Sequence, residues 1–278
     1  MELGQNYRCG FYDIPPAQRM EAIKRAGFDS TMLWWGEEYS KTDGTKEELY
    51  ALAKKNGLNI HTVHFPSTYA HYLWLGGDEG SSYMKQLLQA IRDCGRLEIP
   101  NMVLHMTRKL ITVPPNETGL EHMQTACKEA ETQGIRIAVE NTRFLKYNTY
   151  VYNNIDSPAL KFCFDTGHAN CYTHDEDPLG MFGSRLVTTH IHDNYGPAGH
   201  PDGLVAPSGD KDLHNLIGDG NIDFQKLFER MQAQGNTVWN LESYCFKHSK
   251  YYGLTIDDYL SLSYKKLTSL IDSSRRKK

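Results

Sequence analysis

Glu140, Asp165 and His190 follow one another at intervals of 25 residues, and each stands near the C-terminal end of a short apolar run. His64, His105, His192 and Glu242 stand near the ends of similar runs. A carboxylate at the buried end of an apolar strand is costly unless it is paired or bound to a metal. Three such carboxylates converging with imidazoles are most simply held together by a divalent cation. Taken singly, each residue also has a plain structural role open to it. Glu140, before Asn141, can bond the strand end; Asp165, in FDTGH, can cap the next helix; His64 and His105 can be satisfied core histidines. His190 and His192 are two residues apart on one run, so both can face one cavity.

Eight apolar or β-branched runs carry these residues: 7–13, 30–35, 59–65, 101–106, 135–141, 160–166, 186–193 and 237–243. Turn residues bound each run, as strands require. The segments between them have helical spacing. In AQRMEAIKRAG, Met20 and Ile23 share a face and Gly27 is a natural stop. In TKEELYALAKKNG, Thr45 and Glu48 make a capping box and Gly57 ends the helix. Strand and helix in alternation predict parallel strands with helical crossovers. Eight such units predict a single (β/α)8 TIM barrel spanning 1–278, with about 272–278 as a frayed basic tail. In such barrels the chemistry sits at the C-terminal ends of the strands, where these polar residues fall. An open doubly wound sheet is the alternative, but no glycine-rich fingerprint follows the first run. Two connections are long. Pro66–Glu79 carries Tyr69, His71, Tyr72 and Trp74, which suggests a substrate cover, and Asn194–Asn221 is rich in Gly, Pro and Asp.

Composition narrows the class. Aromatic residues at 11% and a net charge of −4 exclude a disordered chain. Thirty Lys and Arg against 34 Asp and Glu disfavour a nucleic-acid binder. No run of about 18 apolar residues is present, so no membrane span is expected. MELGQNYRCGFYD lacks the features of a signal peptide, and the six scattered cysteines form no CxxC pair. These features predict a cytoplasmic protein with free, buried thiols.

AVENT, FCFDTGHAN, HIHDN and LES, with the GDGNIDF turn, resemble the xylose-isomerase-like barrels. The resemblance runs from about Cys9 to about residue 270. The superfamily holds sugar-phosphate isomerases and epimerases, ketose 3-epimerases, inosose-processing enzymes and the endonuclease IV family. In its epimerase branch the resemblance implies one divalent metal held by Glu140, Asp165, His190 and Glu242. Mn2+ is favoured, with Co2+, Mg2+ and Zn2+ as alternatives. The H-x-x-D pattern His190-Ile191-His192-Asp193 selects His190 over His192. His168 matches a histidine that contacts substrate oxygens. His64, His105 and His192 are expected around the substrate, and Trp34 and Phe65 are candidates for an apolar wall. The implied reaction passes through a metal-stabilised cis-enediolate with Glu140 and Glu242 as acid and base, acting on a small carbohydrate. A lyase or dehydratase of a keto-sugar or inosose on the same scaffold is the alternative. The endonuclease IV branch uses three zinc ions, and His64, His105, His168, Asp212 and His214 supply the matching extra ligands. Its DNA-gripping loops have no counterpart here. Arg108, Lys109 and Arg143 follow strand ends and are read as solvated cations rather than a phosphate site. Self-association is left open.

Overall fold

The computed structural model describes residues 1–36, 40–108, 113–247 and 249–275. Its eight parallel strands close into a barrel in chain order. They are β1 (Glu2–Asn6), β2 (Ser30–Trp34), β3 (Thr62–His64), β4 (Asn101–Leu104), β5 (Arg136–Glu140), β6 (Leu160–Asp165), β7 (Leu186–Ile191) and β8 (Val238–Leu241). Helices cross back over the outside. They are α1 (Pro16–Ala26), α2 (Ser40–Asp43), α3 (Lys46–Lys55), α4 (Gly77–Arg96), α5 (Glu117–Gln133), α6 (Lys146–Asn154), α7 (Thr166–Tyr172), α8 (Pro178–Phe182), α9 (Phe224–Ala233) and α10 (Ile256–Arg275). The expected (β/α)8 architecture is thus the observed one. Helix α10 runs into the stretch expected to fray, and residues 276–278 lie outside the described residues. No helix among the described residues is long and apolar enough to cross a membrane. All six cysteines are buried free thiols.

Local signals read in the sequence have their structural counterparts. Glu48 N donates to Thr45 Oγ1 at 3.2 Å while Thr45 N donates to Glu48 Oε2 at 2.8 Å, closing the capping box. Gly27 ends α1 in the left-handed region, with φ 110°. Met20 and Ile23 are fully buried beneath it.

Strand periodicity positions the site. Met102, Leu104, Ile137, Val139, Phe162, Phe164, Trp239 and Leu241 face outward into the main core beneath the helices. The alternate residues face inward. Thr62 on β3 bonds Thr188 on β7 across the barrel at 3.1 Å, and Asn240 Nδ2 donates to Thr188 Oγ1 at 2.9 Å. Val103, Ala138 and Cys163 form a small apolar layer inside. Two residues on from these six positions come His64, His190, Glu242, His105, Glu140 and Asp165. The same parity therefore carries all six to the barrel's C-terminal mouth.

The first strand differs from expectation. β1 is Glu2–Asn6, and residues 7–13, read as the first run, form the loop beyond it. Gly4 faces Asn240 and Ser30 so closely that a Cβ there would overlap the Asn240 side chain. That crowding leaves β1 without an apolar alternation. The aromatic run after it is apolar for another reason, since Phe11 packs on Tyr259 of α10 with ring centroids 5.5 Å apart.

Candidate metal centre and active site

Glu140 stands at the middle of the site. Its Oε2 lies 3.0 Å from His105 Nε2, 3.3 Å from His64 Nε2 and 3.3 Å from His190 Nδ1. Its Oε1 lies 2.9 Å from His168 Nδ1. His190 Nδ1 is also 2.9 Å from Glu242 Oε2 and 3.8 Å from Asp165 Oδ2. β-Ladder register produces this convergence, because Asp165 pairs with His190 and His190 with Asn240, two residues before Glu242.

A second group adjoins the first. His192 Nε2 lies 3.1 Å from Asp165 Oδ1, and its ring stacks on His214 at 3.9 Å between centroids. Asp212 Oδ2 lies 3.4 Å from both His168 Nε2 and His214 Nε2. His214 is held in the left-handed region, φ 50°, while its Nδ1 meets the Glu242 carbonyl at 2.9 Å. A non-glycine residue held there marks a constrained position.

Several positioning residues escape a reading of the sequence. Asn141 clamps Asp165, donating to its carbonyl and accepting from its N–H, both at 2.8 Å. Asp165 Oδ1 accepts from His168 N at 2.6 Å, so it caps α7 and joins the cluster at once. The expected cap and the expected ligand are one residue. Asp193, needed only as a motif letter above, accepts from the N–H groups of Gly218 and Gly220 at 2.9 Å each. It thereby ties the HIHDN end of β7 to the GDGN turn. Tyr244 Oη lies 3.3 Å from Glu242 Oε1 and accepts from Asn6 Nδ2 at 2.7 Å. It stands two residues beyond Glu242, a spacing that could have flagged it.

The donor set suits a cation. Glu140, Asp165, Glu242 and Asp212 are all buried, and the first three surround the buried His190 ring. Ligand atoms of Asp165, His190 and Glu242 lie within 4.8 Å of one another, as do those of His64, Glu140 and His190. Oxygen and imidazole ligands together suit Mn2+, Co2+ or Zn2+, and oxygen alone suits Mg2+.

Without a cation, protons do its work. Burial opposes charge on His190, but Cys163, Glu242 and Glu140 outweigh it and hold its pKa well above the ordinary imidazole value. Burial opposes charge on His192 too, and Asp165 with Asp212 raises it to about 9. Burial would raise Glu140 and Glu242, yet His105 and His190 beside the first, and His190 beside the second, hold both below the ordinary carboxylate range. A cation entering this set must displace the His190 proton. Adding Mn2+ to metal-free protein at about pH 7–8 is therefore expected to release protons, and affinity should weaken as pH falls. Dye-monitored titration of wild type against His190→Ala measures this. Metal binding with no proton release by the wild type would show that His190 is not displaced.

The site opens into a cavity of about 1110 Å3 lined by His64, His105, Glu140, His168, Asp212, His214 and Glu242. Asp165, His190 and His192 lie fully buried behind this lining. His192 thus joins Asp165 and Asp212 rather than the cavity wall. Trp34 does line the cavity and stacks on His64 at 4.2 Å, while its neighbour Trp35 is buried in the core. Phe65 is turned the other way, edge-on to Tyr83 of α4 at 5.6 Å, because it has the opposite parity to His64. The long first connection contributes only Ser67 and Thr68 to the lining. Its Trp74 instead donates Nε1–H to the Met106 carbonyl at 2.7 Å, beneath the helices. The second connection supplies Val205–Ser208, Asp210, Asp212 and His214. Arg143 stacks on Tyr172 and is ion-paired to Asp210, so it is not a solvated cation. Lys109 lies outside the described residues.

A closed parallel barrel with buried carboxylates and imidazoles gathered at its C-terminal mouth places the protein among the (β/α)8 barrels that carry a polar site there. Residues 20–256 match the family model described as xylose isomerase-like TIM barrel, and the chain belongs to that family. The uncharacterized protein y4fM of Sinorhizobium fredii is 24% identical over 87% of this chain and 86% of its own length. A D-tagatose 3-epimerase-like protein shares the fold with a TM-score of 0.73 at 19% identity, covering 100% of this chain and 99% of that one. The 3-keto-D-glucoside 4-epimerase YcjR of E. coli superposes with a TM-score of 0.69 at 17% identity, covering 98% and 99%.

Proposed function

We propose that the protein is a divalent-metal-dependent sugar isomerase or epimerase. One observation carries most of the weight: Glu140 and Glu242 both line the cavity and both approach His190 Nδ1, at 3.3 and 2.9 Å. The residues suited to hold the cation are Glu140, Asp165, His190 and Glu242. A bound divalent cation supplies Lewis-acid stabilisation for negative charge developing on sugar oxygens. Everything else falls to the side chains. Glu140 and Glu242 end β5 and β8, with Asp165 and His190 on the two strands between. A sugar seated over that arc has a carboxylate towards each end. One glutamate takes the proton from the carbon beside the carbonyl, and the other returns a proton. Return to the opposite face inverts that carbon, and return to the neighbouring carbon interconverts aldose and ketose. His168 lines the cavity with Nδ1 against Glu140 and Nε2 3.4 Å from Asp212, so a substrate hydroxyl reaching Nε2 shares it with Asp212. Trp34 lines the cavity where it stacks on His64. The epimerases among the solved structures of this fold favour the same chemistry. A lyase or dehydratase would use the same groups, with a leaving group beta to the carbon deprotonated.

A second reading has its own observation behind it. His192, Asp212 and His214 bring ligand atoms within 4.8 Å of one another, enough for a further cation, as in a three-zinc phosphodiesterase. Against it, Asp13 and Asp210 share the cavity lining with Arg108, Arg143 and Lys247, a poor match to a polyanion. Metal content by mass spectrometry, with solvent-deuterium incorporation into free sugars, sugar phosphates and keto-inositols, separates the readings. One metal per chain and deuterium at a carbon next to the carbonyl are expected. Three zinc ions without sugar exchange would overturn the isomerase assignment.

A further inference from the structure

The cavity is larger than a cation and one sugar ring require. Pockets for drug-sized ligands span roughly 300–1,000 Å3, and this one, at about 1110 Å3, lies above that range. The loops after β1 and β8 contribute Gly10, Tyr12, Asp13, Tyr244–Lys247 and Tyr252 to its lining. The loops after these adjacent strands are joined: Cys245 N donates to the Cys9 carbonyl at 2.9 Å. Gly10, at φ 96°, makes the approach possible, because a Cβ there would overlap the Cys245 backbone. Together the two loops form one wall bearing Tyr12, Tyr244, Phe246 and Tyr252. This wall begins at the reacting centre, where Tyr244 touches Glu242, and continues through Phe246, stacked on Tyr244 at 5.2 Å with planes 10° apart. It ends at Tyr12 and Tyr252, which are 46% and 60% exposed although they line a cavity. The Arg8 guanidinium lies over one face of Tyr12 at 4.8 Å and fixes that ring.

Exposed aromatic rings at the edge of a cavity suit a flat and partly apolar group that covers them. A pyranose ring is such a group, with C–H faces that stack on aromatic rings and hydroxyls at its edge. Tyrosine suits it, offering a large face at small entropic cost and a hydroxyl at the tip. A phosphate is a poorer fit. Of the lining cations Arg108, Arg143 and Lys247, Arg143 is committed to Asp210, and the three share the lining with Asp13, Asp210, Asp212, Glu140 and Glu242.

We propose that the substrate is a glycoside, with its reacting unit at Glu140 and Glu242 and its second sugar ring stacked on Tyr12 and Tyr252. This rests on the sugar isomerase or epimerase reading for its inner half only. The test is calorimetric binding to Mn2+-loaded protein, comparing D-fructose with the ketose-ended disaccharides maltulose, isomaltulose and lactulose. At least one disaccharide is expected to bind roughly tenfold more tightly than fructose. Tyr12→Ala and Tyr252→Ala should each remove most of that advantage and leave fructose binding unchanged, and Tyr252→Phe should retain it. Both rings are exposed, so truncation leaves the core intact. Disaccharides binding no tighter than fructose, or alanine variants weakening both sugars equally, would overturn the glycoside subsite. Binding is read without turnover, so the two readings fail separately. Tyrosine-dependent disaccharide binding with no solvent exchange would refute the isomerase chemistry and uphold the subsite.

Discussion

Glu242→Gln is expected to lower turnover by roughly 10²–10⁴-fold and to remove solvent-deuterium incorporation into the product sugar. Glu140→Gln should do the same. The amide keeps shape and an oxygen ligand but cannot take a proton. The two variants should differ in their side effects. Glu242 leans on His190 and Tyr244, whereas Glu140 holds His64, His105, His168 and His190 together. Glu140→Gln should therefore also lose metal affinity, and metal content measured on the same samples separates that loss from the proton-transfer defect. Exchange retained in both variants would refute the two-glutamate scheme.

The second large effect is on stability. Asp165→Ala should destabilise the metal-free protein by about 3–5 kcal/mol, the scale for removing one partner from a buried ionic network. Three supports go at once: the α7 cap on His168 N, the contact with His192 Nε2, and one of the charges around His168. The penalty should depend on pH with a definite sign. The His192 pKa is raised from 6.5 to about 9 by Asp165 and Asp212 against burial. A raised imidazole contributes stability that is complete below its unfolded pKa and fades as pH rises through the folded one. The loss in Asp165→Ala should thus be greatest at about pH 6 and shrink towards about pH 9. Asp165→Asn, which keeps a capping oxygen, should fall between. Urea unfolding with chelator present measures all three. A pH-independent difference would mean that His192 is not charged in the folded protein.

Much of the barrel could be read from the chain because parallel strands, covered on both faces, leave a strong apolar signal and their helices carry explicit start and stop signals such as Thr45 and Gly27. β1 leaves no such signal, because Gly4 sits against Asn240 and the visible aromatic run belongs to the following loop. The strand-end carboxylates and histidines were legible from type and spacing alone. Phe65 was misplaced although parity with His64 would have turned it outward. Trp74 was assigned to a cover because loop length says nothing about direction. Asn141, Asp193 and Tyr244 act through contacts between distant strands, which local patterns do not encode.

The pinning of the β7–α9 connection has a consequence for how this protein can diversify. Asp193 grips Gly218 and Gly220, and Asn194 is bonded to Asp212, so both roots of the excursion are anchored beside the buried carboxylates and histidines. Between those anchors, residues 196–209 include the cavity-lining stretch Val205–Ser208. Substitutions in that stretch are expected to change the cavity wall while the anchored strand ends keep their places.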